Sequence, residues 1–329
     1  MFIGEILSIG VAISWTATAL FAEVASKRIG SLPLNVTRMV ISLVLFAGTL
    51  WLTIGAPYPR FADSSTWTWL LLSGMVGYVI GDYCLFQGYI LIGSRFGQLF
   101  MSLSAPAAAI TGRLLLGEQM RPIAIVGMCV TLAGIALSIL SKDTNKDGHE
   151  SSSIHLKLPF KGVLYGCGAG ICQGIGLVLS KSGMGAYDAA IAAQGLTAQS
   201  IPSNAIIPIP LSLSMPFAAT MIRAFIGLAG FLLLLMLFSD NGMMQLKRAA
   251  HDRKAMLCAF ASTFLGPFFG VSLSLFAVQF TATGVAQTLF ALTPILILAP
   301  AAYFFHQRVS LREVIGAIIS VTGACLFFL

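Results

Sequence analysis

Ten apolar runs of about 18 to 24 residues recur along the chain, each closed by charges or by a Pro/Gly turn: 4–24, 37–56, 68–91, 97–116, 123–140, 162–180, 218–238, 255–277, 284–304 and 313–329. A helix of that length covers the roughly 30 Å hydrocarbon core of a bilayer. Inside lipid every backbone N–H and C=O must be paired within the protein, which a helix does on its own. The expectation is an all-α polytopic membrane protein with ten transmembrane helices. Of the 329 residues only 9% are charged, against about 25% in an average soluble domain.

Two hydrophilic segments remain, SKDTNKDGHESSSIHLKLPFK (141–161) and SDNGMMQLKRAAHDRK (239–254), and neither has the apolar content for a core. The first is expected to be a solvated linker. The net charge of +7 comes from Lys and Arg at span ends and in loops, where they suit anionic headgroups, so nucleic acid is not an expected partner. Membrane lipids are. The six cysteines all fall inside spans, with no CxxC pair and no spaced Cys/His set, and are expected to pack as small residues without metal. The first span has Glu5 and no Lys or Arg ahead of its apolar part, so it is expected to stay as a helix and not to be cleaved as a signal peptide.

The sequence is written twice. A shift of 189 residues places Gly77 on Gly266, Gly81 on Gly270, Gln98 on Gln287, Gly127 on Gly316 and Gly134 on Gly323. A shift of 158 places Gly4 on Gly162 and Trp15 on Gln173, and one of 185 places Arg38 on Arg223. The changes in shift mark loop insertions, the largest within 185–217, expected to be either an interfacial helix with an extended return or an irregular loop. Residues 1–140 and 162–329 then form two five-helix repeats. An odd number of spans per repeat inverts the second copy, an architecture common among secondary transporters.

The later part of each repeat, FQGYILIGSRFGQLFMSLSAPAAAITGRLLLGEQMRPIAIVGMCVTLAGIAL (86–137) and FAVQFTATGVAQTLFALTPILILAPAAYFFHQRVSLREVIGAIISVTGACL (276–326), resembles the EamA-domain branch of the drug/metabolite transporter superfamily. The likeness rests on Gly88, Ser94, Pro106, Gly117 with Glu118, Gly127 and Gly134. In the second copy it rests on Ala277, Thr283, Pro294, Gly316 and Gly323, while His306 and Gln307 replace the Gly-Glu corner. The resemblance implies ten helices in two inverted units and carriage of a small organic solute, such as an amino acid or a drug, through a central cavity.

Asp82 stands near the middle of its span, where an Asp costs about 2.5–3.5 kcal/mol on insertion scales. A proton, a polar cavity or a cation partner would offset that cost. Asp82 is therefore a candidate for proton coupling or substrate binding, against the plainer reading that it pairs with Arg38, Arg95 or a hydroxyl and fixes packing. Its repeat partner is Val271. Tyr78, Phe86 and Tyr89 share its helical face. Gln98 and Gln287, and Trp15 and Gln173, are repeat-equivalent polar positions and complete the candidate substrate or coupling set: Asp82, Tyr78, Tyr89, Trp15, Gln98, Gln173 and Gln287. The GxxxG spacings at Gly77/Gly81, Gly266/Gly270 and Gly166/Gly170/Gly174 are expected to bring helices close. Arg113, Glu118 and Arg121 are expected at a solvated helix end.

No HExxH, P-loop or strand-borne GxGxxG is present, and the four histidines fall in loops or at span ends. The expectation is a carrier and not an enzyme, without cofactor, moving a small organic solute by alternating access with Asp82 as the proton-coupling residue. The alternatives are an uncoupled facilitator or exchanger, and a membrane enzyme or interaction scaffold working through loop 185–217. A bacterial cytoplasmic (inner) membrane and a monomer or homodimer fit these readings. Lys and Arg cluster in the loops after odd-numbered helices, which places both termini outside by the positive-inside rule. The resemblance favours cytoplasmic termini in some members, so the orientation stays open.

Overall fold

The structure, a computed structural model, describes residues 3–117, 122–144, 150–156, 158–202, 204–239, 241–271, 273–274, 277, 289–305 and 309–326. Among these, five helices are long and apolar enough to cross a bilayer: Ile6–Ile29, Ser31–Ile54, Ser64–Met101, Phe160–Ala193 and Leu211–Phe238. Shorter apolar helices cover Ile125–Ile139 and Thr293–Phe305. Residues 272 and 275–276 of the eighth expected span and 284–288 of the ninth lie outside the described residues.

Helices α1 (Ile3–Ile29) and α2 (Ser31–Ile54) meet at Gly30, whose φ of 83° lets the chain reverse without a loop. Asp63 caps α3 (Ser64–Gly74), accepting from the Thr66 N–H at 2.8 Å. The helix then loosens into a π-helical segment, Met75–Asp82, before α4 (Tyr83–Met101). Gly93, at φ 79° and ψ 163°, breaks α4 in a conformation that belongs to glycine. This is the corner between the third and fourth expected spans. The rest of the fourth is α5 (Ser104–Leu116), and the fifth is α6 (Pro122–Ile139).

The linker holds more order than its polar composition suggests. Strands β1 (Leu140–Thr144) and β2 (Glu150–Leu156) pair as an antiparallel ribbon. The second half opens with α7 (Phe160–Ala193). Its 34 residues extend about 51 Å at 1.5 Å per residue, well beyond the hydrocarbon core.

That length corrects the expectation for 185–217. The Ala-rich stretch is neither a separate interfacial helix nor an irregular loop: it continues α7, because Tyr187, Ala190 and Ile191 keep helical spacing and bury against α2 and α8. The return is extended and tied down, with the Ile206 and Ile207 N–H groups both donating to the Leu52 carbonyl at 2.9 and 2.8 Å. Helix α8 (Leu211–Phe238) then starts seven residues before the expected span. Segment 239–254 is likewise more than a loop. It forms α9 (Gly242–His251), amphipathic and basic, with Leu246 and Ala249 turned inward.

Helix α10 (Arg253–Thr263) leads into a second π-helical segment, Phe264–Gly270. Helices α11 (Thr293–Leu296), α12 (Leu298–Phe305) and α13 (Leu311–Cys325) complete the described chain. The two π segments begin 189 residues apart, at Met75 and Phe264, the same shift that aligns the repeats. Duplicated helical irregularity of this kind commonly marks a functional region.

Repeat-equivalent helices pair with each other, α2 with α8 and α6 with α13. The first helix of each half packs on the third of the other, α7 on α3 and the first π segment, α1 on α10 and the second. The halves therefore interlock around glycines. A Cβ on Gly176 would lie 3.0 Å from Gly77 Cα, and one on Gly266 would lie 2.8 Å from Thr18. Gly170 and Gly174 press on the backbone carbonyls of Phe100 and Ser104. The GxxxG spacings thus do what the sequence suggested.

Candidate functional site

Both repeat-equivalent arginines turn toward the first π segment. Arg38 of α2 donates from Nη1 to Asp82 Oδ2 at 3.2 Å, and its guanidinium lies 4.5 Å from the Phe86 ring centre. Gln173 of α7 donates from Nε2 to Asp82 Oδ1 at 2.8 Å and to the Gly77 carbonyl at 3.1 Å. Both carboxylate oxygens thus have partners, and Asp82 is only 6% exposed. One turn away, Arg223 of α8 lies over Tyr78 with 4.4 Å between guanidinium carbon and ring centre. Arg223 is also close enough to act electrostatically on Asp82.

The outcome for the sequence-derived set is mixed. Asp82, Tyr78 and Gln173 come together in one cluster around Arg38 and Arg223. Tyr89 and Gln98 form a neighbouring pair, the Gln98 Nε2 donating to the Tyr89 hydroxyl at 2.7 Å, linked to the cluster through Phe86 by edge-on ring contact. Trp15 does not join it. It packs edge-on against Phe290, 5.4 Å between ring centres, and close to Gly270. The physical reason is the interlock: Trp15 meets the second π segment as Gln173 meets the first, so repeat-equivalent residues occupy opposite halves. Gln287 lies outside the described residues, as do Glu118 and Arg121, while Arg113 is exposed.

The second π segment carries no counterpart charge. It reads FLGPFFG, and its Phe268 packs with Phe46 and Phe217 at 5.8 and 6.0 Å between ring centres. This aromatic layer joins α2, α8 and the second half. Phe46 sits two turns beyond Arg38 on α2.

Nearer the linker, a second set of charges ties elements together. Glu23, 1% exposed, pairs with Lys27 and accepts the Ser94 N–H at 2.6 Å, capping the helix that restarts after Gly93. Arg95 pairs with Glu313 of α13 at 3.0 Å. Lys27 stands over the Phe305 ring at 5.3 Å. Arg28 grips Asp252 through two N–H groups, at 2.8 and 3.1 Å. Three of these contacts, Arg95 to Glu313, Lys27 to Phe305 and Arg28 to Asp252, cross between the halves on one side of the membrane. Sequence alone does not single out Glu23 and Glu313, because both fall at span ends, where a charge is ordinarily solvated. The signal lay in Glu23 preceding Lys27 by four positions, ion-pair spacing on a helix.

The Arg28 contact has a pH signature. Hydrogen bonds from Arg28, then from the Ala255 N–H, hold the Asp252 carboxyl below its usual value of 3.8. A carboxyl lowered in the folded state stabilises above its unfolded pKa, and that contribution fades as pH falls through the folded value. The loss in thermal midpoint from Arg28→Gln is therefore expected to be flat between about pH 5 and 8, to start shrinking only below about pH 4, and to disappear once the pH has fallen below the lowered folded value. Thermal unfolding of both chains across that range checks this. A penalty that persists at the acid end contradicts it.

A buried charged cluster at the interlock of two sets of long apolar helices belongs to an integral multi-pass membrane protein. The chain belongs to the EamA-like transporter family, whose profile matches residues 2–140 and 203–329. A solved protein crystal structure aligns over 98% of this chain and 95% of its own, with a TM-score of 0.55 and 15% identity, a likeness of fold. No curated protein matches the chain.

Proposed function

We propose that this protein is a secondary carrier of a small organic solute, working by alternating access between two inverted five-span units at about 1–140 and 162–329, with proton coupling through Asp82. One observation carries the reading. An unrepeated carboxylate, gripped by Arg38 of its own half and Gln173 of the other, sits on a duplicated π-helical segment between the units. Protonation of Asp82 removes the charge that holds Arg38, so the proton and the relative position of the two halves become linked. The charged contacts near the linker close one side in this conformation, and the Phe46, Phe217 and Phe268 layer lies toward the other.

The test is uptake of a metabolite panel by proteoliposomes with and without an imposed pH gradient, comparing wild type with Asp82→Asn. Gradient-driven uptake is expected to fall at least tenfold in the variant, while solute counterflow, which needs no net proton movement, persists. Unchanged gradient-driven uptake in Asp82→Asn rules out coupling at this residue.

A second reading draws on the completeness of the Asp82 pairing. With both oxygens engaged, the carboxylate serves to fix Arg38 and the protein is a facilitator or exchanger. Solute-dependent proton flux, followed with a pH dye inside the vesicles, separates the two. The insertion at 185–217, through which the membrane-enzyme or scaffold alternative would work, is an extension of α7 followed by a return strapped to Leu52.

A further inference from the structure

The charges at the interlock of the two halves do not balance. Among the described residues, Arg38 has Asp82, Lys27 has Glu23 and Arg95 has Glu313, each within 3.2 Å. Arg223 has no carboxylate at salt-bridge distance. Its buried Nε also has no hydrogen-bond partner among the described residues, and its guanidinium lies on the Tyr78 ring and beside Gly77. The cluster on the first π segment therefore holds two guanidinium groups against one carboxylate, with Arg38 and Asp82 buried and Arg223 half-buried beside them.

Room has been left for this cation. A Cβ on Gly77 would come within 3.1 Å of Arg223 Nη2, so glycine at this position is what lets the guanidinium lie against the π segment. The repeat also argues for purpose beyond packing. By symmetry, Arg38 and Arg223 would serve one π segment each, yet both face the first, and the second is wholly apolar. A buried guanidinium is stable where a carboxylate or phosphate meets its fork of N–H donors.

We propose that Arg223 binds the anionic group of the transported solute, making this a carrier of organic anions that bear a carboxylate or a phosphate. The inference rests on the carrier reading above. It assigns the solute contact to Arg223 and not to Asp82, because Asp82 is already engaged by Arg38 and Gln173. The incoming anion supplies the second negative charge and leaves the interior neutral during the crossing. Tyr78, whose ring supports the guanidinium, and Gln173 lie beside the same glycine.

The test uses four probes with one aromatic body: phenylacetate, phenyl phosphate, phenylacetamide and phenethylamine. Binding to the purified full-length chain is read as ligand-dependent thermal stabilisation, and flux as proteoliposome uptake. Phenylacetate or phenyl phosphate is expected to stabilise the wild type, and the response of each identifies the headgroup. The amide and the amine are expected to do nothing. Arg223→Gln is expected to weaken anion binding at least tenfold, with partial recovery in Arg223→Lys, which also guards against misfolding in the glutamine variant.

Stabilisation or uptake by the amine or amide, without the anions, overturns the anion site and leaves the carrier reading intact. Anion binding lost in Arg223→Gln but without flux supports the site and overturns the carrier reading. Equal anion binding in wild type and Arg223→Gln overturns the assignment to Arg223.

Discussion

Arg38→Met is expected to destabilise the folded chain by about 3–5 kcal/mol, the range for breaking a buried ion pair from one side, and to abolish transport. The physical argument is one of isolation. Asp82 is 6% exposed, and its Oδ2 partner is Arg38. Removing the cation leaves a carboxylate in the interior with the Gln173 amide as its direct partner. The double variant Arg38→Met/Asp82→Leu removes both charges together and is expected to regain most of the lost stability, because replacing a whole buried pair with apolar groups is often neutral or better. Arg223 then stands alone on the π segment, so recovery falls short of complete. Thermal midpoints in detergent for wild type, both single variants and the double variant form a mutant cycle. A coupling near zero would mean that the pair contributes nothing and that Asp82 is held by other groups.

Much of this arrangement was legible before any coordinates, and the reasons differ by feature. The duplicated glycines predicted close helix contacts because absence of a Cβ has the same consequence wherever it falls: Gly77 meets Gly176, and Gly266 meets Thr18. The pairing of Arg38 with Arg223 as repeat equivalents was legible too. Their convergence on one π segment was not, since the direction of a long flexible side chain depends on which half carries the carboxylate and which glycine leaves room. Trp15 shows the opposite failure. Equivalence to Gln173 places it correctly in the repeat but not in the cluster, because the pseudo-two-fold symmetry carries a residue to the equivalent site in the other half.

The charges of Glu23 and Glu313 were hidden by position. A hydropathy reading ends a span at its first charge, so a carboxylate just inside the end is taken as solvated. In the folded chain the Gly93 break brings the Ser94 N–H down onto Glu23, and a helix end with an unpaired donor is where a carboxylate belongs. The break itself is written only as a glycine beside a serine. Likewise, α7 outran its expected span because alanine and tyrosine at 185–193 continue a helix without being apolar enough to extend a membrane segment.

Gly134→Leu is expected to prevent folding of the helical core, with a loss of monodisperse protein on mild heating that Gly48→Ala does not share. Along the α6 and α13 pair, glycines face backbone, and backbone cannot step aside. A Cβ at Gly134 would come within 2.6 Å of the Gly316 carbonyl oxygen and 2.7 Å of Ser320 Cα. In return, one at Gly316 would lie 2.6 Å from the Gly134 carbonyl, and one at Gly323 would lie 2.7 Å from that of Gly127. The contacts run in opposite order along the two helices, so these repeat equivalents are antiparallel, as inversion of the second half requires. Overpacking a rigid contact costs about 1–3 kcal/mol and more where nothing can move, and a leucine adds three further carbons to the clash. Gly48 is the proper control: a Cβ there meets nothing within 4 Å, so alanine tests the cost of losing a helical glycine without a clash. If Gly134→Leu survives heating as Gly48→Ala does, the two helices are not held at backbone contact and the seam is not what joins the repeats.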